Sequence, residues 1–242
     1  MITVGSLFAG IGGIELGLER TGGFRTVWQV EIDDYARRVL EKHWPSVRRW
    51  DDVRTFPPEP VDEWGCHIIC GGDPCQRNSA AGKSCTESLG GEFLRVVDAI
   101  RPRLVLRENP SHIRRDAPWP WWRMRAGLES LGYVVLPFRL RACCVGAFHQ
   151  RERVFLLGEL ADSNGKRLAR RKAQAKAGEP VQSPRRIHAE DWLALSASRG
   201  LGSRNGFPYY VDRIRCLGNA VVPQVAEWIG HQILAAEQTL CE

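Results

Sequence analysis

The sequence predicts an α/β fold built on a mostly parallel sheet, and three observations carry that expectation. Short apolar runs alternate with windows of helical periodicity along most of the chain. The first run enters a helix through a glycine-rich corner, and the second run ends in an acid. Apolar residues make up 43% of the 242, enough to fill one core of ordinary size with a small appendage.

The elements follow in order. Residues 2–8 form a β-rich run, and Gly10-Ile11-Gly12-Gly13 turn the chain into "IELGLERTG". Ile14, Leu16 and Leu18 mark that segment as a helix, and Gly22-Gly23 stop it. "RTVWQVEI" reads as a second strand, and "DDYARRVLEKHW" as a helix with Asp33 or Asp34 at its N-terminus. "CHIIC", "RLVLREN", "YVVLPFRLRA" and "RVFLLGEL" read as further strands. "EFLRVVDAI" and "WWRMRAGLESLG" read as helices between them. From residue 161 to 205 the pattern dissolves into Arg, Lys, Ala, Ser and Gly. It returns near residue 206 and closes on an amphipathic helix.

Composition narrows the function. The formal net charge is +6, which suits a polyanionic partner. Residues 166–186 hold eight Lys or Arg against one Glu, a composition that fits a solvated segment or a phosphate-contacting one. No run of about 18 apolar residues predicts a membrane span. The first ten residues read as a strand rather than a signal peptide. The eight cysteines, with Cys66, Cys70, Cys143 and Cys144 in strand-like or apolar contexts, fit reduced thiols in a cytosol. Cys66, Cys70, Cys75 and Cys85 match no compact tetrahedral zinc spacing.

"GGDPCQRNS" stands out. Cys75 follows the rigid Pro74 just beyond the apolar run that holds Cys70, so it is displayed where a packing cysteine would be buried. The corner Phe8-Ala9-Gly10-Ile11-Gly12 can bring backbone close to a ligand, and Glu31 lies where α/β nucleotide sites hold a ribose hydroxyl. The glycine spacing is neither a full dinucleotide fingerprint nor a P-loop.

Taken together, "SLFAGIGG", Pro74-Cys75, "ENP" at 108–110, "HQRERVF" at 149–155 and "LGNAVVP" at 217–223 resemble the C5-cytosine DNA methyltransferases, in the order of that family's elements. The resemblance covers residues 1–158 and 206–242 and implies a Rossmann-like S-adenosylmethionine-dependent methyltransferase fold. It assigns those two stretches to a catalytic, cofactor-binding domain and residues 159–205 to a short, basic target-recognition region. It implies a DNA (cytosine-5-)-methyltransferase with Cys75 as nucleophile, Glu108 at the cytosine N3 edge, and Arg151 and Arg153 as the cations beside them. S-adenosylmethionine would lie against Phe8, Gly10, Ile11 and Gly12, with Glu31 on its ribose and Ile32 against the adenine. Asp52 and Val53 would read the adenine edge, Pro74 would border the sulfonium, and Asn219 and Ala220 would lie near the methionine end. The C-terminal segment would then pack back beside the first strand. Residues 76–90 would close over a flipped cytosine in double-stranded DNA, with Gln76, Ser79, Lys166, Arg167, Arg170 and Arg171 on the DNA.

This sequence departs from the family pattern in three places. His149 stands where the family has Gln, Pro110 where it has Val, and the recognition stretch is short. The short stretch predicts a short or relaxed recognition sequence. The expected setting is the cytoplasm of a bacterium or phage-infected host, as a monomer without an obligate protein partner. Three other readings fit parts of the pattern: an RNA methyltransferase of the same chemistry, a non-catalytic nucleic-acid-binding regulator, and a nicotinamide-dependent oxidoreductase. The intact Pro74-Cys75, Glu108 and arginine pair weigh against the second, and the glycine spacing against the third.

Overall fold

In a computed structural model, residues 1–73, 89–110, 121–147, 149–161, 216–217 and 219–238 are described. Their seven strands are β1 (Ile2–Leu7), β2 (Phe24–Val30), β3 (Arg48–Trp50), β4 (Ile68–Gly71), β5 (Leu104–Pro110), β6 (Tyr133–Arg141) and β7 (Glu152–Leu160). They form one sheet in the order β3-β2-β1-β4-β5-β7-β6. The five strands from β3 to β5 are parallel, and β7 runs antiparallel to both β5 and β6. The helices are α1 (Gly13–Arg20), α2 (Asp34–His43), α3 (Gly90–Ile100), α4 (Trp121–Ser130) and α5 (Pro223–Gln238). The α/β expectation and its mostly parallel sheet are borne out. Asp33 is the N-cap of α2, its carboxylate accepting from the Ala36 amide at 3.0 Å.

The sheet is buried on both faces, as its near-continuous apolar strands require. On one face Leu7, Trp28, Ile69, Val105 and Leu156 pack under α3 and α4. On the other, Val4, Ile68, Cys70, Leu106 and Phe155 pack under α1 and α5. α5 covers the face of β1 together with α1. A Cβ on Gly17 would fall 2.2 Å from the Pro223 carbonyl oxygen and 2.6 Å from the Ala226 Cβ. Gly17→Ala is therefore expected to destabilise the fold by about 2 kcal/mol through overpacking against backbone. A chemical-denaturation midpoint equal to the parent's would refute that account of the α1–α5 contact.

Two expectations need correction. Leu16, read as part of the apolar face of α1, is 38% exposed, whereas Glu15 beside it is 1% exposed. The close approach of Val221 to Gly13 and of α5 to Gly17 sets the rotation of α1, which turns Glu15 onto the sheet. Cys143 and Cys144 are exposed on a 3-10 turn (Ala142–Val145) after β6, outside any apolar strand.

Candidate active site

The carboxyl ends of β1, β2, β4 and β5 open on one crevice, where parallel α/β sheets take their ligands. Its first wall is the corner between β1 and α1. Phe8, Gly10 and Gly12 all adopt positive φ, at 54°, 57° and 82°. At Gly12 a Cβ would meet the Trp44 ring at 2.4 Å, so packing as well as φ calls for glycine. At Gly10 a Cβ would meet nothing within 4 Å, so the backbone is bare toward open space. The Gly10 amide donates to one Glu31 oxygen at 2.7 Å, and the Asp33 amide donates to the other at 2.9 Å. Glu31 thus ties the glycine corner to the entrance of α2. Burial raises its carboxyl, and the Asp33 and Gly10 amides pull it back. Ile32 projects with 62% of its surface exposed.

The bare corner, the anchored carboxylate and the exposed apolar Ile32 fit a nucleoside with a charged tail. Asp52 caps a 3-10 turn (Val53–Thr55), accepting from the Arg54 amide at 2.9 Å and pairing with the Arg54 guanidinium at 2.8 Å. Those Arg54 hydrogen bonds hold its carboxyl below the usual range. Val53 is buried in the core, so its backbone is what it can offer a ligand. Asn219 is exposed ahead of α5. The Ala220 carbonyl accepts from the Arg151 guanidinium at 3.0 Å, which joins the C-terminal segment to β7.

The second wall is chemical. Glu108, near the end of β5, is 7% exposed, and its carboxylate meets the Arg153 guanidinium at 2.6 Å. β-pairing explains the meeting. Glu108 is opposite Phe155 and Pro110 is opposite Arg153, so Glu108 and Arg153 sit diagonally on one face. Burial pushes the Glu108 carboxyl up to about 7, while Arg153, Arg151 and Arg107 oppose the rise and Asp73 adds to it. The opposition is incomplete, so the carboxyl divides between its two forms near neutrality. Gly71 pairs with Arg107, so the next residue, Gly72, passes alongside Glu108. A Cβ on Gly72 would fall 2.7 Å from Glu108 Oε2 and 2.9 Å from its carbonyl oxygen. Only a glycine lets the chain cross the carboxylate this closely.

A family model of C-5 cytosine-specific DNA methylases matches residues 2–198. The chain belongs to that family. Two similar methylases are the type II methyltransferases M.Bsp6I of Bacillus sp. (strain RFL6) and M2.BsuMI of Bacillus subtilis (strain 168). The first is 33% identical over 166 residues, covering 65% of this chain and 52% of the relative. The second is 34% identical over 165 residues, covering 64% and 41%. The chain thus spans about half or less of the length of these relatives. Among solved structures, a prophage-encoded E. coli protein assigned as a DNA modification methyltransferase matches with a TM-score of 0.56 and 27% identity. That match covers 66% of this chain and 47% of the other. The S. pombe Dnmt2 methyltransferase, at 20% identity and a TM-score of 0.55 over 66% of this chain and 51% of its own, shares the fold.

Within this chain, the β1–α1 corner holds Phe8, Gly10, Ile11 and Gly12 beside Glu31 and Ile32, and β5 and β7 bring Glu108 together with Arg153 and Arg151. Cys75, Pro74, Gln76 and Ser79 lie outside the described residues, as do Lys166, Arg167, Arg170 and Arg171 and nearly all of 159–205. Sequence reasoning missed Asp73 and Arg107. Arg107 interrupts an otherwise apolar interior strand, and a buried guanidinium demands an acid; that signal was available. It also missed that Gly72 is a contact residue, which depends on the β4–β5 register.

Proposed function

We propose that the chain methylates C5 of cytosine in duplex DNA, with S-adenosylmethionine as donor and Cys75 as covalent nucleophile. The observation that carries the reading is the buried Glu108, paired with Arg153 and crossed by the peptide that leads within three residues to Cys75. The bound cofactor supplies an electrophilic methyl group on a sulfonium. Phe8, Gly10, Ile11 and Gly12 would line its pocket, Glu31 would accept from the ribose hydroxyls, and Ile32 would cover the adenine. Cytosine C5 is too weak a nucleophile to take that methyl unaided. A Cys75 thiolate adding to C6 pushes the 5,6 electron pair toward C5 and N3. Glu108, protonated or hydrogen-bonded at N3, stabilises the charge that develops in the ring. Arg151 and Arg153 keep the surroundings cationic, which favours the thiolate. After methylation C5 loses its proton to a base, the Cys75–C6 bond breaks, and the thiolate leaves as the 5,6 double bond reforms.

The target must leave the helix for this chemistry, so base flipping is part of the reading. The basic residues 159–205, with Lys166, Arg167, Arg170 and Arg171, supply phosphate contacts that carry no base code of their own. A short or relaxed recognition sequence is therefore expected, and methylation mapping that returned a strict site of six base pairs would refute it. The decisive experiment is transfer of a labelled methyl group from S-adenosylmethionine to unmethylated duplex DNA, with tRNA in parallel. Label at cytosine C5 of the DNA establishes the activity. Label in tRNA alone moves the substrate to RNA, and failure to bind the cofactor sinks the proposal.

A further inference from the structure

Two charged residues sit one position before the two groups that the proposed chemistry uses. Arg107 precedes Glu108, and Asp73 precedes Pro74-Cys75. Arg107 is 1% exposed and Asp73 7%. The Arg107 Nε donates to Asp73 Oδ1 at 2.7 Å, and a terminal guanidinium nitrogen contacts the same oxygen. Consecutive residues of a strand face opposite ways. Arg107 shares a side with Val105, in the core under α3 and α4; Glu108 shares a side with Leu106, in the core under α1 and α5. The ion pair therefore clamps β4 to β5 from behind the sheet, while Gly72 and Glu108 touch in front.

We propose that Arg107 is a positioning residue for methyl transfer: through its buried ion pair with Asp73 it fixes Gly72-Asp73, the residues that precede Pro74-Cys75 in sequence, beside Glu108. Stability alone is a poor reason for such a pair. Desolvating both charges consumes most of their attraction, and well-packed apolar residues of similar volume commonly replace buried pairs at no loss. A guanidinium held on a carboxylate does fix distance and angle, which apolar contacts do not. Asp73 is held in this way two peptides before Cys75, where a displacement of about 1 Å is worth about a hundredfold in rate. The pair also acts on the charge around Glu108. Arg107, Arg151 and Arg153 favour its carboxylate, and Asp73 disfavours it.

This inference rests on the methyltransferase reading, and its test separates the two. Steady-state transfer is measured on duplex DNA for the parent, Arg107→Met, Asp73→Asn and the double variant Arg107→Met/Asp73→Ala. The double variant leaves no orphaned charge. It is expected to bind S-adenosylmethionine with parental affinity, to melt near the parent, and to lose about 10- to 100-fold in kcat with little change in KM. The single variants are expected to move the alkaline limb of the kcat profile in opposite directions, upward in pH for Arg107→Met and downward for Asp73→Asn. A pair that only stabilises the fold would leave kcat of the folded double variant at the parental value. Parental kcat in a folded double variant overturns the proposal. If that variant does not fold, Asp73→Asn decides, and an unshifted limb with unchanged kcat overturns it. A parent that transfers nothing to cytosine overturns the methyltransferase reading itself and the inference with it.

Discussion

Glu108→Gln is expected to lower kcat for methyl transfer about 10²-fold at pH 7, with the KM for S-adenosylmethionine changed less than about twofold. Glutamine keeps the size and can still offer an N–H to N3, but it cannot deliver a proton. The loss should therefore fall short of Cys75→Ala, which removes the nucleophile and should reduce transfer to background. The pH profile carries the sharper test. Burial raises the Glu108 carboxyl to about 7 against Arg153, Arg151 and Arg107. The protonated acid is present below that value and disappears above it. The parent's kcat should fall as pH rises through about 7 toward 9, and Glu108→Gln should lack that fall. A parental profile flat to pH 9 would mean that the Glu108 proton is not used in the rate-limiting step.

Glu108 also marks the boundary between what the chain discloses and what its fold adds. Its place at a strand end was legible, because β5 opens on the apolar Leu104-Val105-Leu106 and "ENP" closes it. Its burial was not, because it depends on β7, some 45 residues on, inserting antiparallel between β5 and β6. Arg153 reaches Glu108 only through that pairing. Strands buried on both faces were readable because most of their positions are apolar, so little phase has to be guessed. β3 escaped because it is three residues long and starts with two arginines. Arg49 turns to the carbonyls of Leu40 and Trp44 at the end of α2, leaving no apolar period to detect. The β1–α1 corner was legible as glycines and a following acid, yet the bond from the Gly10 amide to Glu31 needed the parallel β1–β2 register. For Cys75 and the basic stretch, the family pattern remains the source of the assignment.

Glu15 is the clearest case of an acid whose surroundings the sequence hides, and it gives the largest expected change in stability. An acid in the first turn of a helix ordinarily faces water and the helix dipole. Here it points onto the sheet, where Ser6 of β1 pairs in register with Gln29 of β2 and Cys70 of β4. Among the described residues, Glu15, the Ser6 hydroxyl and the Gln29 amide are buried together on this face. Burial pushes the Glu15 carboxyl up to about 7, and hydrogen bonds from its own backbone amide, Ser6 and Gln29 offset only part of that. The folded state then holds a proton that the unfolded chain releases near its ordinary value of 4.5. Stability is therefore fully present below about pH 4.5 and is lost progressively as pH rises through about 7. A shift from 4.5 to about 7 corresponds to about 3 kcal/mol above neutrality. Glu15→Gln mimics the protonated carboxyl at every pH. It should be more stable than the parent by up to about 3 kcal/mol at pH 8, and the difference should vanish toward pH 4.5. Guanidinium midpoints measured from pH 5 to 8 would check both the sign and the slope. Glu108 carries a rise of the same direction, so Glu15→Gln should keep part of the parent's decline and Glu15→Gln/Glu108→Gln should flatten it further. Equal midpoints for parent and Glu15→Gln at pH 8 would mean that the buried carboxylate finds hydration inside the fold, and the account of Glu15 as a desolvated acid would fail.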